Sequence, residues 1–298
     1  MTKKRLSEAH SGMILSSQDI NRLNAIFVPG IQEHNQSIHH IYIHNKDSIM
    51  LSERTIYKAI DLNLLKVRNI DLPNKVKLRP RRKKSYTHKI DRSCRIGRSY
   101  KDFMAFIQAN PDTSLVQMDT VEGRKGGKVL LTIHFVTSSF MLAFLRDFND
   151  ARSVKDIFHY LYETLGHDVF CSLFPVILTD NGSEFSDPKS LEFDCEGKQR
   201  TNIFYCDAGR PDQKGSCEVN HTLIRRILPK GSSFDELTQQ DIQRMMSHIN
   251  SYSRKKLNNR TPFQSFSHFY GKHIPALLGI IPVEANKVNL SPTLLKKD

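Results

Sequence analysis

Near the start of the chain, apolar positions recur at helical spacing. They stop over a charged tract and return with the alternation of strands. Over residues 17–27, Ile20, Leu23, Ile26 and Phe27 share one side of a helix. Ser37 stands where it can cap a short helix with Ile38, Ile41 and Tyr42 inward, and Ser52 can cap another with Ile56, Ala59 and Ile60 on one stripe. Residues 45–51 between them read as a short, mostly polar turn. Two short helices joined this way resemble a helix-turn-helix, although many small helical bundles share the pattern. In a helix-turn-helix, Arg54, Tyr57 and Lys58 would lie on the outward, groove-facing side of the second helix, beside Glu53.

Beyond the charged tract the pattern predicts strands at 115–122, 128–136 and 139–146, the first two joined by the turn Arg124-Lys125-Gly126-Gly127. An amphipathic helix is expected over 153–165, with buried strands over 174–179 and 202–206. Two further helices are expected over 213–228 and 238–252, and an irregular tail after about residue 271. Three antiparallel strands followed by strands alternating with helices describe a mixed α/β sheet with helices on its faces.

Charge changes the picture. The 298 residues carry a formal net charge of +13. Residues 75–98 hold eleven basic side chains, among them Arg81, Arg82, Lys83, Lys84, Arg95 and Arg98, against the single acid Asp91. Apolar periodicity is absent there and Pro80 interrupts the run, so it reads as an extended linker that tracks phosphates, or as a plain solvated loop. A polyanionic partner is expected, with nucleic acid the usual one and membrane surfaces or ribosomes the competitors. No apolar run is long enough for a membrane span, and no apolar stretch follows the basic start, so no secretory signal is expected. The five cysteines are odd in number and form no C-x-x-C pair, which removes zinc fingers and disulfide scaffolds and points to a reducing cytoplasm.

Three acids stand out by position. Asp119 interrupts the β-rich run Leu-Val-Gln-Met-Asp-Thr, where an aspartate weakens a strand. Asp180 ends the apolar strand before Asn181-Gly182, at the kind of strand terminus where open α/β sheets build sites. Glu218 lies on the helix beginning near Gln213. Taken singly, each is a cap, a turn former or part of a solvated face. Brought together, three carboxylates need a divalent cation, and hard oxygen ligands select Mg²⁺ or Mn²⁺. A pair of such ions suits phosphodiester cleavage or transfer. Lys214, Glu218, His221 and Arg225 share one helix face, which spacing alone reads as a salt-bridged solvent face, with a metal-and-phosphate grip as the alternative.

Several blocks together resemble a known family. Val116-Gln117-Met118-Asp119-Thr120-Val121-Glu122-Gly123, Thr179-Asp180-Asn181-Gly182-Ser183-Glu184-Phe185 and Gln213-Lys214-Gly215-Ser216-Cys217-Glu218-Val219-Asn220 resemble the three catalytic blocks of bacterial DDE transposases, in the branch named after insertion sequence thirty. Leu223-Ile224-Arg225-Arg226 with Pro229-Lys230-Gly231 fits as well, as do Arg254-Lys255-Lys256-Leu257-Asn258-Asn259 with Thr261-Pro262, and Gly97 to Phe103. The resemblance implies an RNase H-like core of the retroviral-integrase type, with Asp119, Asp180 and Glu218 as ligands for Mg²⁺, for which Mn²⁺ can substitute. It implies Arg225 as a DNA contact of the active site. It also implies hydrolysis at transposon ends followed by attack of the freed 3′-hydroxyl on target DNA. Double-stranded DNA would be the partner, with the protein a homo-oligomer on it and no membrane involved.

The expected fold is thus an RNase H-like mixed five-stranded sheet flanked by helices, preceded by a small all-α helix-turn-helix domain and a basic linker. The expected boundaries are 1–68 for the helix-turn-helix domain, 69–108 for the linker, 109–270 for the core and 271–298 for the tail. Arg54, Tyr57, Lys58, Arg81, Arg82, Lys83, Lys84, Lys214 and Arg225 are the expected DNA contacts. Family members usually begin with a further helix-turn-helix upstream of anything matching Thr2 to Ser16, and this chain starts after it. The competing readings are a DNA-binding regulator or truncated relic with inert carboxylates, and a different RNase H-like nuclease acting on RNA or branched DNA.

Overall fold

The computed structural model describes residues 15–73 and 93–296; the side chains of residues 211, 218 and 219 lie outside that description. The chain divides into two compact units. One runs to Arg82 and includes Glu284–Ser291, and the other holds Lys83–Val283 with Pro292–Asp298. Arg81, Arg82, Lys83 and Lys84 lie outside the described residues.

The first unit is helical. Helix α1 (Ser17–Val28) starts at a capping box, in which Ser16 and Asp19 satisfy each other's backbone N–H groups. It runs on into a π-helical turn at Pro29–Glu33. Helices α2 (Ile38–His44) and α4 (Glu53–Asp61) are capped by Ser37 and Ser52 as the pattern predicts. The polar turn expected between them contains one helical turn, α3 (Lys46–Ile49), because Ile49 is drawn into the core with Leu23, Phe27, Ile41, Ile56 and Ile60. Arg54, Tyr57 and Lys58 are exposed on α4. Glu53 is not free for a groove, since its Oε2 lies 3.0 Å from His39 Nδ1.

Part of the expected irregular tail completes this unit. Gln36 donates from Nε2 to the Val288 carbonyl at 2.7 Å, and Leu290 N–H donates to the His34 carbonyl at 2.9 Å. Val288 and Leu290 are fully buried. These contacts join residues some 250 positions apart, beyond the reach of any local pattern.

The second unit is built on a five-stranded sheet in the order β3-β2-β1-β4-β5. Strands β1 (Leu115–Glu122), β2 (Val129–Phe135) and β3 (Phe140–Arg146) are antiparallel, whereas β4 (Val176–Thr179) and β5 (Ile203–Tyr205) run parallel to β1. Gly127 N–H closes the β1–β2 turn on the Arg124 carbonyl at 3.1 Å, with Gly126 at φ +81°, a conformation that suits glycine. Every residue of β2 is buried, as expected of a strand covered on both faces. The resemblance implies a mixed five-stranded sheet flanked by helices, and the described residues form one.

Helices flank the sheet. Helix α5 (Tyr100–Ala109) packs Phe103 and Phe106 on Phe204 of β5. After β3 come α6 (Ala151–Leu165) and α7 (His167–Leu173), then, past β4, α8 (Pro188–Glu192). Helix α9 (Gly215–Ile227) continues a 3₁₀ turn at Pro211–Lys214, and α10 (Gln239–Asn250), α11 (Pro262–Tyr270) and α12 (His273–Leu277) follow. No helix among the described residues is long and apolar enough to cross a membrane.

The end of the basic tract differs from the sequence reading. Arg98 makes a two-pronged pair with the buried carboxylate of Glu192, at 3.0 and 2.5 Å, and Arg95 donates to the Asn181 carbonyl at 2.9 Å. These two arginines make hydrogen bonds to the sheet-bearing unit, so this end of the tract is not a plain solvated loop. Helix α5 likewise belongs to the sheet, although it falls within the stretch read as linker. Its single buried phenylalanine, Phe103, is too weak a periodic signal to stand out beside eleven basic residues.

Candidate active site

Strand register explains how the site forms. Gln117 of β1 is the partner of Leu178 of β4, so the same register carried two residues further sets Asp119 beside Asp180. Strand β4 stops at Thr179 while β1 runs on to Glu122, and the sheet opens at that point. A cleft of about 430 Å³ lies there, lined by Asp119, Asp180, Gly182, Asp207, Arg210 and Lys214 among others.

Each aspartate is held by backbone. Thr120 N–H donates to Asp119 Oδ1 at 2.8 Å, and Gly182 N–H donates to Asp180 Oδ1 at 3.0 Å. Asn181 Nδ2 donates to the Cys206 carbonyl at 2.7 Å, and Cys206 N–H to the Thr179 carbonyl at 2.8 Å, so the end of β5 steadies the Asp180 turn. The Asp180 side chain is 47% exposed and that of Asp119 is 19% exposed. The more buried acid thus lies mid-strand and the more open one at the strand end.

Lys214 lies between them. Its Nζ is 3.3 Å from Asp119 Oδ2 and 3.9 Å from Asp180 Oδ2, and donates to the Met118 carbonyl at 3.0 Å. Burial pushes the Lys214 pKa down, but the charges of Asp180 and Asp119 outweigh it and the net shift is upward. The side chain therefore stays a cation.

Helix α9 supplies the other wall. Its backbone carries Glu218, whose side chain lies outside the described residues. His221 Nε2 lies 2.8 Å from Thr132 Oγ1, and His221 Nδ1 lies 3.9 Å from Asp119 Oδ2. Burial pushes the His221 pKa down to about 4, so the ring is neutral near pH 7. Arg225 Nη2 donates to the Glu122 carbonyl at 2.7 Å. Lys214, His221 and Arg225 thus all meet β1. The salt-bridged solvent face favoured by spacing alone is corrected for Lys214, His221 and Arg225, which pack onto the sheet.

Two donor sets share Asp119. Asp119 and Asp180 offer carboxylate oxygens around an ammonium that stands in for a cation, which suits Mg²⁺. Asp119, Cys217 and His221 offer one atom each, all within 4.8 Å of one another, a mixed set capable of coordinating a metal and closer to the preference of zinc. Thr132, Cys217 and Asp207 escape the sequence reading. Thr132 is legible only through its register partner, Asp119, and Cys217 only through its position one turn before His221. Arg54, Tyr57 and Lys58 belong to the other compact unit and are not part of this cluster.

No family model matches the chain. It is 29% identical over 143 residues to a "Putative integrase ORF3" of Spiroplasma virus SpV1-R8A2 B, covering 48% of this chain and 42% of that protein. It is 24% identical over 231 residues to a "Probable transposase for insertion-like sequence element IS1161" of Streptococcus salivarius, covering 76% of this chain and 62% of the relative. A "Transposase for insertion sequence element IS4351" of Bacteroides fragilis is 25% identical over 158 residues, covering 53% and 46%. The chain therefore spans about two-fifths to three-fifths of the length of these relatives. Among solved structures, the catalytic core domain of BIV integrase superposes at a TM-score of 0.35 with 15% identity, over 54% of this chain and 96% of that one. A chain of the simian T-cell lymphotropic virus intasome in complex with PP2A regulatory subunit B56 gamma gives a TM-score of 0.38 with 13% identity, over 50% and 52%. By these sequence relatives, the chain is distantly related to insertion-sequence transposases and to a viral integrase.

Proposed function

We propose that this protein is a metal-dependent DNA transposase that cleaves at insertion-sequence ends and joins the freed 3′-hydroxyl to target DNA. The observation that carries the reading is the pair Asp119 and Asp180, brought together at an open strand end around a buried ammonium. Relatives named as transposases and an integrase support the same class. Asp119, Asp180 and Glu218 would hold Mg²⁺, or Mn²⁺ in its place, which supplies the charge for activating a hydroxyl and stabilising the leaving oxygen of a phosphodiester. Backbone N–H groups aim both aspartates, so the chain orients its ligands before any substrate arrives. Arg225 and Lys214 would grip phosphates beside the scissile bond, and the Arg81 to Lys84 run would follow the duplex backbone.

In this reading the helical unit is a helix-turn-helix that reads transposon ends through Arg54, Tyr57 and Lys58, and the protein works as a homo-oligomer on double-stranded DNA. Nicking of supercoiled plasmid with and without Mg²⁺ tests the chemistry. Asp119→Asn, Asp180→Asn and Glu218→Gln should each abolish nicking while DNA binding persists, because an amide keeps the shape but loses the charge. DNA binding without nicking by the parent protein would favour a regulator instead. The Asp119–Cys217–His221 set supports a second reading, a zinc-type centre. Cys217→Ala separates the two: Mg²⁺-dependent nicking survives if the carboxylates hold the metal, and is lost if the thiol does.

A further inference from the structure

Lys214 is only 6% exposed, and lysine is rarely so buried unless it is paired. Its position is set by the 3₁₀ turn Pro211–Lys214 leading into α9, and its ammonium donates to the Met118 carbonyl of β1 at 3.0 Å. The two aspartates are arranged around it in the same way. Each has its Oδ1 fixed by a backbone N–H, from Thr120 for Asp119 and from Gly182 for Asp180. Each turns its Oδ2 toward Lys214 Nζ, at 3.3 and 3.9 Å. The ammonium therefore engages the same two Oδ2 atoms that Asp119 and Asp180 would offer to a cation. Mg²⁺ needs oxygens at about 2.0–2.1 Å and cannot share those atoms with a second positive charge.

We infer that Lys214 is the internal counter-ion of Asp119 and Asp180 and couples metal loading to DNA binding. With Asp119 and Asp180 holding a divalent cation, the Lys214 ammonium would leave the two carboxylates and take a phosphate of DNA lying in the cleft. This rests on the reading that Asp119 and Asp180 hold the metal. Without DNA, the displaced ammonium loses its carboxylate partners and gains nothing but water, so metal binding is held back. With DNA present it gains a phosphate. Linkage then requires that DNA raise metal affinity and that metal raise DNA affinity by the same factor.

The test measures binding of Mn²⁺ alone to the full chain by electron paramagnetic resonance, with and without a short duplex of arbitrary sequence. The proteins are the parent, Lys214→Met, Lys214→Arg and Asp119→Asn. DNA should tighten Mn²⁺ binding by the parent about tenfold, within the range usual for coupled sites. Lys214→Met should bind Mn²⁺ about tenfold more tightly than the parent without DNA, with the effect of DNA shrinking below about twofold. Lys214→Arg keeps a charge at the site and should retain the coupling, which separates a counter-ion role from loss of packing. Mn²⁺ affinity in Lys214→Met equal to or weaker than that of the parent overturns the inference. If Asp119→Asn binds Mn²⁺ as the parent does, the carboxylate reading itself fails. If Asp119→Asn loses the metal but Lys214→Met leaves it unchanged, only the counter-ion role fails.

Discussion

Burial decides the state of a histidine that the sequence alone leaves ambiguous. His134 on β2 is fully enclosed and its Nδ1 accepts from Asn220 Nδ2 at 2.9 Å. Burial, with Lys256 and Arg254 nearby, pushes its pKa from an ordinary 6.5 down to about 3. The folded state therefore takes up a proton later than the unfolded chain as pH falls. The stability held by a neutral His134 is complete above about pH 6.5 and is lost progressively as pH drops toward about 3. At pH 5 the loss amounts to about 2 kcal/mol, from ~1.4 kcal/mol per pH unit. Urea unfolding at pH 7 and pH 5 should show this, with the difference smaller in His134→Gln. Equal pH slopes in the two proteins would remove His134 as the cause. Nothing in the alternation of β2 distinguishes this histidine from a surface one, because the helix that covers it comes from a distant part of the chain.

At the scale of elements, the edge of the sheet shows how side chains finish what strand pairing leaves open. Among the described residues, strand β3 pairs only with β2, which leaves N–H and C=O groups along its other side. Helix α10 covers them. Asn250 accepts from Met141 N–H at 3.0 Å and donates to the Met141 carbonyl at 2.8 Å. One helix length away, Gln239 accepts from Leu145 N–H at 2.8 Å and donates to the Ala143 carbonyl at 3.1 Å. Both side chains act as a substitute strand, and Asn250 is completely buried. Asn250→Ala should destabilise the fold by about 2–4 kcal/mol, since it orphans two buried backbone groups. A urea midpoint within experimental error of the parent would mean that water replaces the amide. The helix itself is legible in the sequence from its apolar spacing and its Thr238 cap. Its service to the strand edge is not, because an asparagine at a helix end reads locally as a terminator.

For the whole molecule, the division into two units allows the proposed reading of DNA to be tested apart from the proposed chemistry. Arg54 and Lys58 are exposed on a helix whose opposite side packs Ile56, Ala59 and Ile60 into its own core. Replacing both by alanine in the full chain should leave nicking intact and erase its preference for transposon ends. The expected loss of discrimination is about 1–3 kcal/mol for each base contact removed, read by competition between end and scrambled duplexes. Retained preference would assign the reading of DNA to the other unit. Whole-unit deletion is a poorer test, because Glu284–Ser291 belongs to the helical unit and would lose its partners His34, Gln36 and His40.

The amino-acid sequence by itself determined the longer helices of the first unit, the strands of the second, the serine caps and the two aspartates at a strand and a strand end. Those features depend on residues within a turn or a strand of one another, so periodicity and capping chemistry carry them. The tertiary structure alone decided which acids meet and what stands between them. Asp119, Asp180 and Lys214 come from three elements, and their meeting depends on parallel register and on where β4 stops. It also decided that Arg98 pairs with Glu192 and Arg95 with the Asn181 carbonyl, although they close a tract that reads as solvated. A buried carboxylate such as Glu192 binds its arginine more strongly than water or a distant phosphate does, and only the folded chain brings the two together.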